Sequence, residues 1–325
     1  MYIGVRYILG FALSVVAMLV AMPRYISYLS NRDINQVTSD YALDEFKNKA
    51  KTPIMGGLLF VLIPIIVSII TDITVLSDRR FLFVMLSYLL YCSVGFIDDM
   101  LVIRSHTNDG LSAKTRLVME FSYTLILYLL FRDVICEQVT IPFLNVGIQL
   151  YWIIFAGFMI LLYMAEANAV NFTDGMDGLC AGVSAIALLP FLAFAFIYGN
   201  NGIALFLICI LGALLGYLKF NFHPAKIFMG DSGSLALGAL FSSLAVMMDK
   251  TVALFVIGGV FVAEMFCVVV QQLSVRLFHK RVFSYTPIHY AFVIKGHRET
   301  SIVLCFYLVQ LLLSIIGFFI GINTR

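Results

Sequence analysis

The sequence predicts an all-α, polytopic membrane protein, and three observations carry that prediction. The 325 residues are 62% hydrophobic and only 12% charged, with a mean hydropathy of +0.99, whereas soluble domains sit nearer half apolar and a quarter charged. The apolar residues fall in runs long enough to cross the hydrocarbon layer, which takes about 20 helical residues. The basic residues crowd onto alternate connections between those runs. Helix is the expected spanning form, because lipid offers no hydrogen-bond partner to an open strand. The chain reads as a single domain over 1–325, with no internal repeat, low-complexity tract or soluble module.

Ten runs qualify, at roughly 3–22, 54–71, 81–97, 115–131, 150–167, 178–198, 202–218, 233–248, 251–277 and 301–322. The first lacks a strong basic leader and a small-residue cleavage site, so it reads as a retained span and not a signal peptide. Arg6 sits inside it, and Pro64 interrupts the second. Gly56-Gly57, at the start of the second, predicts a close approach between helix backbones. The eighth is short and rich in Gly, Ser and Ala. Pro23 to Thr52 is the longest polar segment and reads as a solvated loop with a short surface helix. The six cysteines are scattered through apolar runs with no CxxC pair, which predicts packing residues and neither a zinc site nor a disulfide framework.

Charge sets the expected orientation. The first, third, fifth, seventh and ninth connections, with their helix ends, carry fifteen Lys and Arg, against four on the others. Positive charge stays on the cytoplasmic side during insertion. The odd connections are therefore expected in the cytoplasm and both termini outside it.

Every polar motif falls on that same expected face. Asp98-Asp99 ends the third run, Lys114 and Arg116 open the fourth, and AEANAVNFTDGMDGLCAG over 165–182 follows the fifth. FNFHPAKIFMGDSGSLALG follows the seventh, with Asn221 and Asp231, and YTPIHYAFVIKGHRE follows the ninth, with His289 and His297. Five carboxylates at membrane depth (Asp98, Asp99, Asp174, Asp177, Asp231) repel one another unless paired, hydrated or neutralised. Oxygen ligands without cysteine favour Mg²⁺ or Mn²⁺. The alternative for each Asp is a helix cap. DGMDG is not an EF-hand, which needs acidic residues at steps of two and a Glu at position twelve.

Lys47, Lys49, Lys51 and Lys114 supply positive charge for an anionic substrate, and GDSGS precedes the eighth helix, whose N-terminus suits phosphate. Together these groups point to metal-assisted phosphoryl transfer. His289 is the histidine best placed to act; a lone His is otherwise structural. Glu120, Glu166 and Glu264 lie inside apolar runs, where an ionisable group is functional by default or else pairs with a neighbouring helix. Steps of three around a helix fan Asn168, Asn171, Asp174 and Asp177 across about half its circumference. That makes the island a substrate-holding wall, with catalysis centred on Asp98, Asp99 and Asp231.

TPIMGG (52–57), GFIDD (95–99), NAVNFTDGMDGL (168–179), FNFHPAKIFMGDSGSLALG (220–238) and TPIH (286–289) occur in that order. In this the chain resembles the polyprenyl-phosphate N-acetylhexosamine-1-phosphate transferases, and within them the phospho-N-acetylmuramoyl-pentapeptide transferases. The resemblance runs from about Lys51 to Glu299. It implies an enzyme of the bacterial inner membrane, with a cytoplasmic cleft and a homodimeric assembly. The enzyme would pass phospho-MurNAc-pentapeptide from UDP-MurNAc-pentapeptide to undecaprenyl phosphate, giving lipid I and UMP with Mg²⁺; no nucleic acid is involved.

Carried over by position, Asp231 would hold Mg²⁺, and Asp98 and Asp99 would serve the phosphoryl chemistry, with Asp98 as base. Asn171, Asp174, Asp177, Asn221 and Phe228 would line the nucleotide pocket. Thr52, Lys114, Asn168 and Gln271 would also meet substrate, Lys114 at phosphate, and His289 would join the catalytic set. Two positions depart from the family: Val102 stands where a Lys is usual, and His289-Tyr290-Ala291 replaces three consecutive histidines. The alternatives are GlcNAc-1-phosphate transfer from UDP-GlcNAc to the same lipid, a transporter, or an inactive relative.

Overall fold

The computed structural model describes residues 3–32, 34–35, 52–105, 110–142, 144 and 146–323. Among them, helices occupy all ten predicted runs. They are α1 (Ile3–Ser30), α2 (Gly57–Thr71), α3 (Arg79–Ser105), α4 (Ala113–Phe131), α5 (Trp152–Thr173), α6 (Leu179–Ile197), α7 (Asn201–Asn221), α8 (Asp231–Met247), α9 (Thr251–Ile257), α10 (Gly259–Phe278), α11 (Ile288–Ile294) and α12 (Glu299–Ile322). Seven of these are long and apolar enough to cross a bilayer, and α2 and α8 are shorter apolar helices.

Four features differ from the sequence reading. First, α1 continues through Pro23 to Ser30, so the start of the expected polar loop is helix. A proline deletes one hydrogen bond without ending a helix whose neighbours pack it. Residues 36–51 of that loop, with Lys47, Lys49 and Lys51, lie outside the described residues. Second, the ninth run is broken at Gly258-Gly259 into α9 and α10. Third, the connection after α4 holds a two-stranded antiparallel hairpin, β1 (Gln138–Ile141) and β2 (Val146–Gln149), so the fold is helical with one small sheet. The Asp249 carboxylate, in the turn after α8, accepts from Gln138 Nε2 at 2.9 Å and Thr140 N at 3.2 Å and ties the hairpin down. Fourth, α5 runs on to Thr173, so Asn168 and Asn171 are helical and Asp174 is the first residue beyond the last turn.

The centre of the bundle is α8. Residues 232–246 are all buried, and the Gly, Ser and Ala content that made this run look weak is what lets its neighbours close in. A Cβ built on Gly57 of α2 would lie 2.4 Å from Gly233 Cα, one on Gly95 of α3 would lie 2.1 Å from the Asp231 carbonyl, and one on Gly238 would lie 2.4 Å from Ala167 Cα of α5. Helices in lipid gain little from hiding apolar surface from one another, so backbone approach at small residues is how they associate. The expectation for Gly56-Gly57 holds, and three helices reach α8 by backbone contact. Asp231, at its first turn, is thereby set in place from three sides.

Candidate active site

The helix ends that carry the polar motifs converge at one end of the bundle; the hairpin and the exposed Arg79–Asp133 pair, at 2.6 Å, lie at the other. Asp99 is buried, and its carboxylate accepts from the backbone N–H of Asp231 and of Ser232, both at 3.0 Å. A helix leaves its first N–H groups without partners, and here a carboxylate from α3 fills that role. Gly230, at φ +76°, makes the turn possible, since a side chain there would strike the Asp99 carboxylate. Asp99 thus acts on the end of α8, while Asp98 turns another way and accepts the Leu111 N–H at 2.8 Å. Asp98 remains within electrostatic range of Asp231 and Arg116.

With its backbone so held, Asp231 presents its carboxylate to two partners. Asn171 donates to Oδ1 at 2.8 Å and also reaches Ser234 Oγ at 2.9 Å, while Arg116 donates to Oδ2 at 2.9 Å. Arg116 is steadied by Glu120, one turn along α4, at 3.2 Å. Sequence reasoning assigned phosphate to Lys114, which is exposed in the first turn of α4, and missed Arg116. The signal was present: Arg116 and the intramembrane Glu120 stand four residues apart, the spacing of a helical ion pair.

Asp174 is half-buried beside this group. Burial first, then the charges of Asp231 and Asp177, push its carboxyl up to about 7, against the pull of the Gly230 backbone. The unfolded chain loses that proton near the ordinary carboxylate value of about 4. Asp174 therefore costs stability progressively as pH rises from about 4 toward 7, and in full above that. In detergent without divalent cation, Asp174→Asn should flatten the pH dependence of the melting temperature between pH 5 and 8, gaining roughly 1–2 kcal/mol at the upper end once solvent screening is allowed for. Parallel wild-type and variant curves would refute this.

A second group holds the turn that follows. Asp177 Oδ2 accepts from Ala225 N and pairs with His223 Nδ1, both at 3.0 Å, and Glu299 Oε1 accepts the Asp177 N–H at 2.8 Å. Asn221 accepts from Gly178 N at 3.1 Å and donates to Ile227 O at 2.9 Å. Tyr307 donates to Gly178 O at 2.6 Å and Tyr290 to Gly175 O at 3.0 Å. The backbone of Phe228 joins Pro53 and Gly56 at 2.8 Å each, which brings the Thr52 segment alongside. Asp177 and Asn221 thus fix the loops, and the half-buried Phe228 ring and Thr52 stand beside them. Asn168 stands one step further back: its amide donates to Met164 O in its own helix at 2.7 Å, and its side chain hydrogen-bonds Glu120, the partner of Arg116.

The third group lies around α11. Gln271 accepts from Val282 and Phe283 N at 3.0 Å each and donates back to Phe283 O at 3.2 Å, so its amide is spent on the loop after α10. His289 is fully buried and pairs with Glu264 at 3.0 Å. Tyr290, in place of a family histidine, is a strut for the Gly175 turn, and Ala291 is buried.

The oxygen donors of Asp231 and Asp98, the raised Asp174 and the partial exposure of the Asp231 side chain (25%) fit a hard divalent cation, which takes one or two carboxylates and leaves other positions to water and phosphate. A tighter cluster among the described residues is Asp177, His223 and Glu299, with ligand atoms within 4.8 Å of one another. Its members already hydrogen-bond one another and the Ala225 N–H.

A family-wide sequence profile, glycosyl transferase family 4, matches residues 81–249. Proteins named phospho-N-acetylmuramoyl-pentapeptide-transferase are similar along almost the whole chain. That of Staphylococcus saprophyticus is 34% identical over 320 residues, covering 96% of this chain and 99% of its own. That of Staphylococcus carnosus is 34% identical over 323 residues with the same coverage. That of Staphylococcus aureus is 35% identical over 315 residues, covering 96% and 98%.

Proposed function

We infer the reaction from one premise: the chain belongs to glycosyl transferase family 4, among the phospho-N-acetylmuramoyl-pentapeptide-transferases. It is a membrane enzyme of peptidoglycan synthesis that moves phospho-MurNAc-pentapeptide from UDP-MurNAc-pentapeptide to undecaprenyl phosphate, releasing UMP and forming lipid I. The observation that carries this reading is the convergence of Asp98, Arg116, Asn171, Asp174 and Asp231 at one end of a bundle of apolar helices. A lipid phosphate arriving along the bilayer and a nucleotide-sugar arriving from water can meet only at such an end.

The reading takes ten spans with both termini outside and that end in the cytoplasm, and the charge distribution supports it. Asp231 is the residue to hold Mg²⁺, and a bound ion there supplies neutralisation of the diphosphate and of the departing UMP. Asp99 holds the backbone of Asp231, and Asn171 orients its carboxylate. Arg116 adds a fixed guanidinium for phosphate oxygens. Asp98, its other oxygen free of the Leu111 N–H, serves as base for the lipid phosphate. The Asp174–Gly178 turn with Phe228 and Thr52 forms the nucleotide wall. The attack is direct and in line, with no phospho-Asp98; a covalent sugar-phosphate trapped on enzyme without acceptor would refute that.

Purified protein with undecaprenyl phosphate and Mg²⁺ should release UMP from UDP-MurNAc-pentapeptide and stop when the metal is chelated. UMP release from UDP-GlcNAc alone would move the enzyme to the GlcNAc-1-phosphate branch.

A further inference from the structure

Glu264 is fully buried in α10, and both of its oxygens are occupied. Oε2 accepts the Ile288 N–H at 2.7 Å and Oε1 meets His289 Nδ1 at 3.0 Å. The partner ring is fully buried too. A carboxylate only accepts, so the ring donates through Nδ1–H. That leaves Nε2, which is buried with no hydrogen-bond partner among the described residues. It is directed at Gly175: a Cβ on that glycine would lie 2.2 Å from Nε2. A second N–H at this atom would be an orphaned buried donor, the rarer and costlier case, so the neutral ring carries a lone pair there.

The surroundings orient the ring on its α10 and α11 side. Tyr290, its ring centroid 4.2 Å from that of His289, donates to Gly175 O at 3.0 Å and joins the turn to α11. Gln271, two turns along α10 from Glu264, clamps the loop that leads into α11. The fixed tautomer therefore faces the Asp174–Gly178 turn, which stands beside the Asp231 group.

We propose that Glu264 is a positioning residue for the transfer reaction: it fixes His289 as the Nδ1–H tautomer, so that Nε2 is the acceptor that the Asp174–Gly178 turn presents to a hydroxyl or amide donor of the nucleotide-sugar. This rests on the reaction assigned above. The Gly175 backbone covers Nε2, and a small shift of a turn without a side chain at that point uncovers it. Glu264 works through the ring and touches no reacting atom.

Glu264→Gln keeps shape and volume, but its amide nitrogen can face Nδ1 and drive the ring proton to Nε2. The same logic makes an Asp-to-Asn change beside a catalytic histidine costly when the geometry is intact. ¹⁵N-histidine spectra in detergent would read the tautomer, with His289 assigned among the five histidines by its loss in His289→Gln. The wild type should show a proton on Nδ1 and a bare Nε2. Glu264→Gln should show the reverse, melt within a few degrees of wild type, and lose roughly 100-fold in kcat/KM. Glu264→Asp, which keeps the acceptor, should keep the tautomer and recover part of the activity.

A proton on His289 Nε2 in the wild type, alone or with one on Nδ1, would overturn the proposal even if Glu264→Gln failed to fold. So would a switched tautomer with near-wild-type kcat/KM. A wild type that releases no UMP from UDP-MurNAc-pentapeptide would instead refute the reaction, and the tautomer would be measured independently of it.

Discussion

Asp231→Asn is expected to abolish Mg²⁺-dependent UMP release, by a factor of roughly 1,000 or more, while leaving the protein folded. The size follows from what the carboxylate is asked to do. It is half-buried in the acidic group, it sits where Asn171 and Arg116 aim it, and it is the residue proposed for the metal. A single group lost from the electrostatic stabilisation of a transition state costs about 100 to 1,000-fold, and removal of the metal's carboxylate adds loss of the ion itself. Stability should change little, because the Asp231 backbone N–H, and not its side chain, is what Asp99 grips. Steady-state UMP release across a Mg²⁺ titration, with melting curves beside it, measures both. Activity near wild type would remove Asp231 from the metal role.

Gly95→Ala should have the largest effect on folding of any single methyl group added near the site. The new Cβ would sit 2.1 Å from the Asp231 carbonyl carbon and oxygen. The obstruction is backbone, held by Asp99 on one side and by the Gly57–Gly233 approach on the other, so nothing flexible can give way. Overpacking in a close-packed interior costs about 1–3 kcal/mol and more when backbone must move; a loss of about 3 kcal/mol or more is expected here. Detergent-solubilised yield and melting temperature would fall together, and activity would fall further than folded protein, because the displaced segment carries Asp231. An active, wild-type-stable Gly95→Ala protein would show that α3 and α8 are not in backbone contact there.

Much of this arrangement was legible in the residues. Apolar runs locate helices in lipid because nothing else satisfies a backbone there, and the parity of the connections alone brings the Asp residues to one end. The Gly56-Gly57 reading was correct because a small-residue pair has few other uses in a membrane helix. What the residues alone do not show is decided by tertiary partners. Asp99 reads as a second catalytic acid, and its two oxygens hold the start of α8. Asn168 matches the motif and meets Met164 O and Glu120. Gln271 also matched, and it clamps a loop. Arg116 carries a signal that Lys114 lacks, the four-residue spacing to Glu120, and the neighbouring helix then shows that it faces Asp231. The hairpin and α11 are too short for periodicity to reveal.

The last third of the chain bears on how the enzyme is made. Tyr290, Glu299 and Tyr307 grip Gly175, the Asp177 N–H and Gly178 from outside the region that carries the carboxylates. A ribosome delivers Asp98 through Asp231 to the membrane long before it delivers α12. A nascent chain halted before Glu299 would own Asp98, Asp99, Asp174, Asp177 and Asp231 and lack two of the three struts that shape the turn beside them. The Asp174–Gly178 turn therefore gains its full set of struts only once α12 has been threaded into place beside α6.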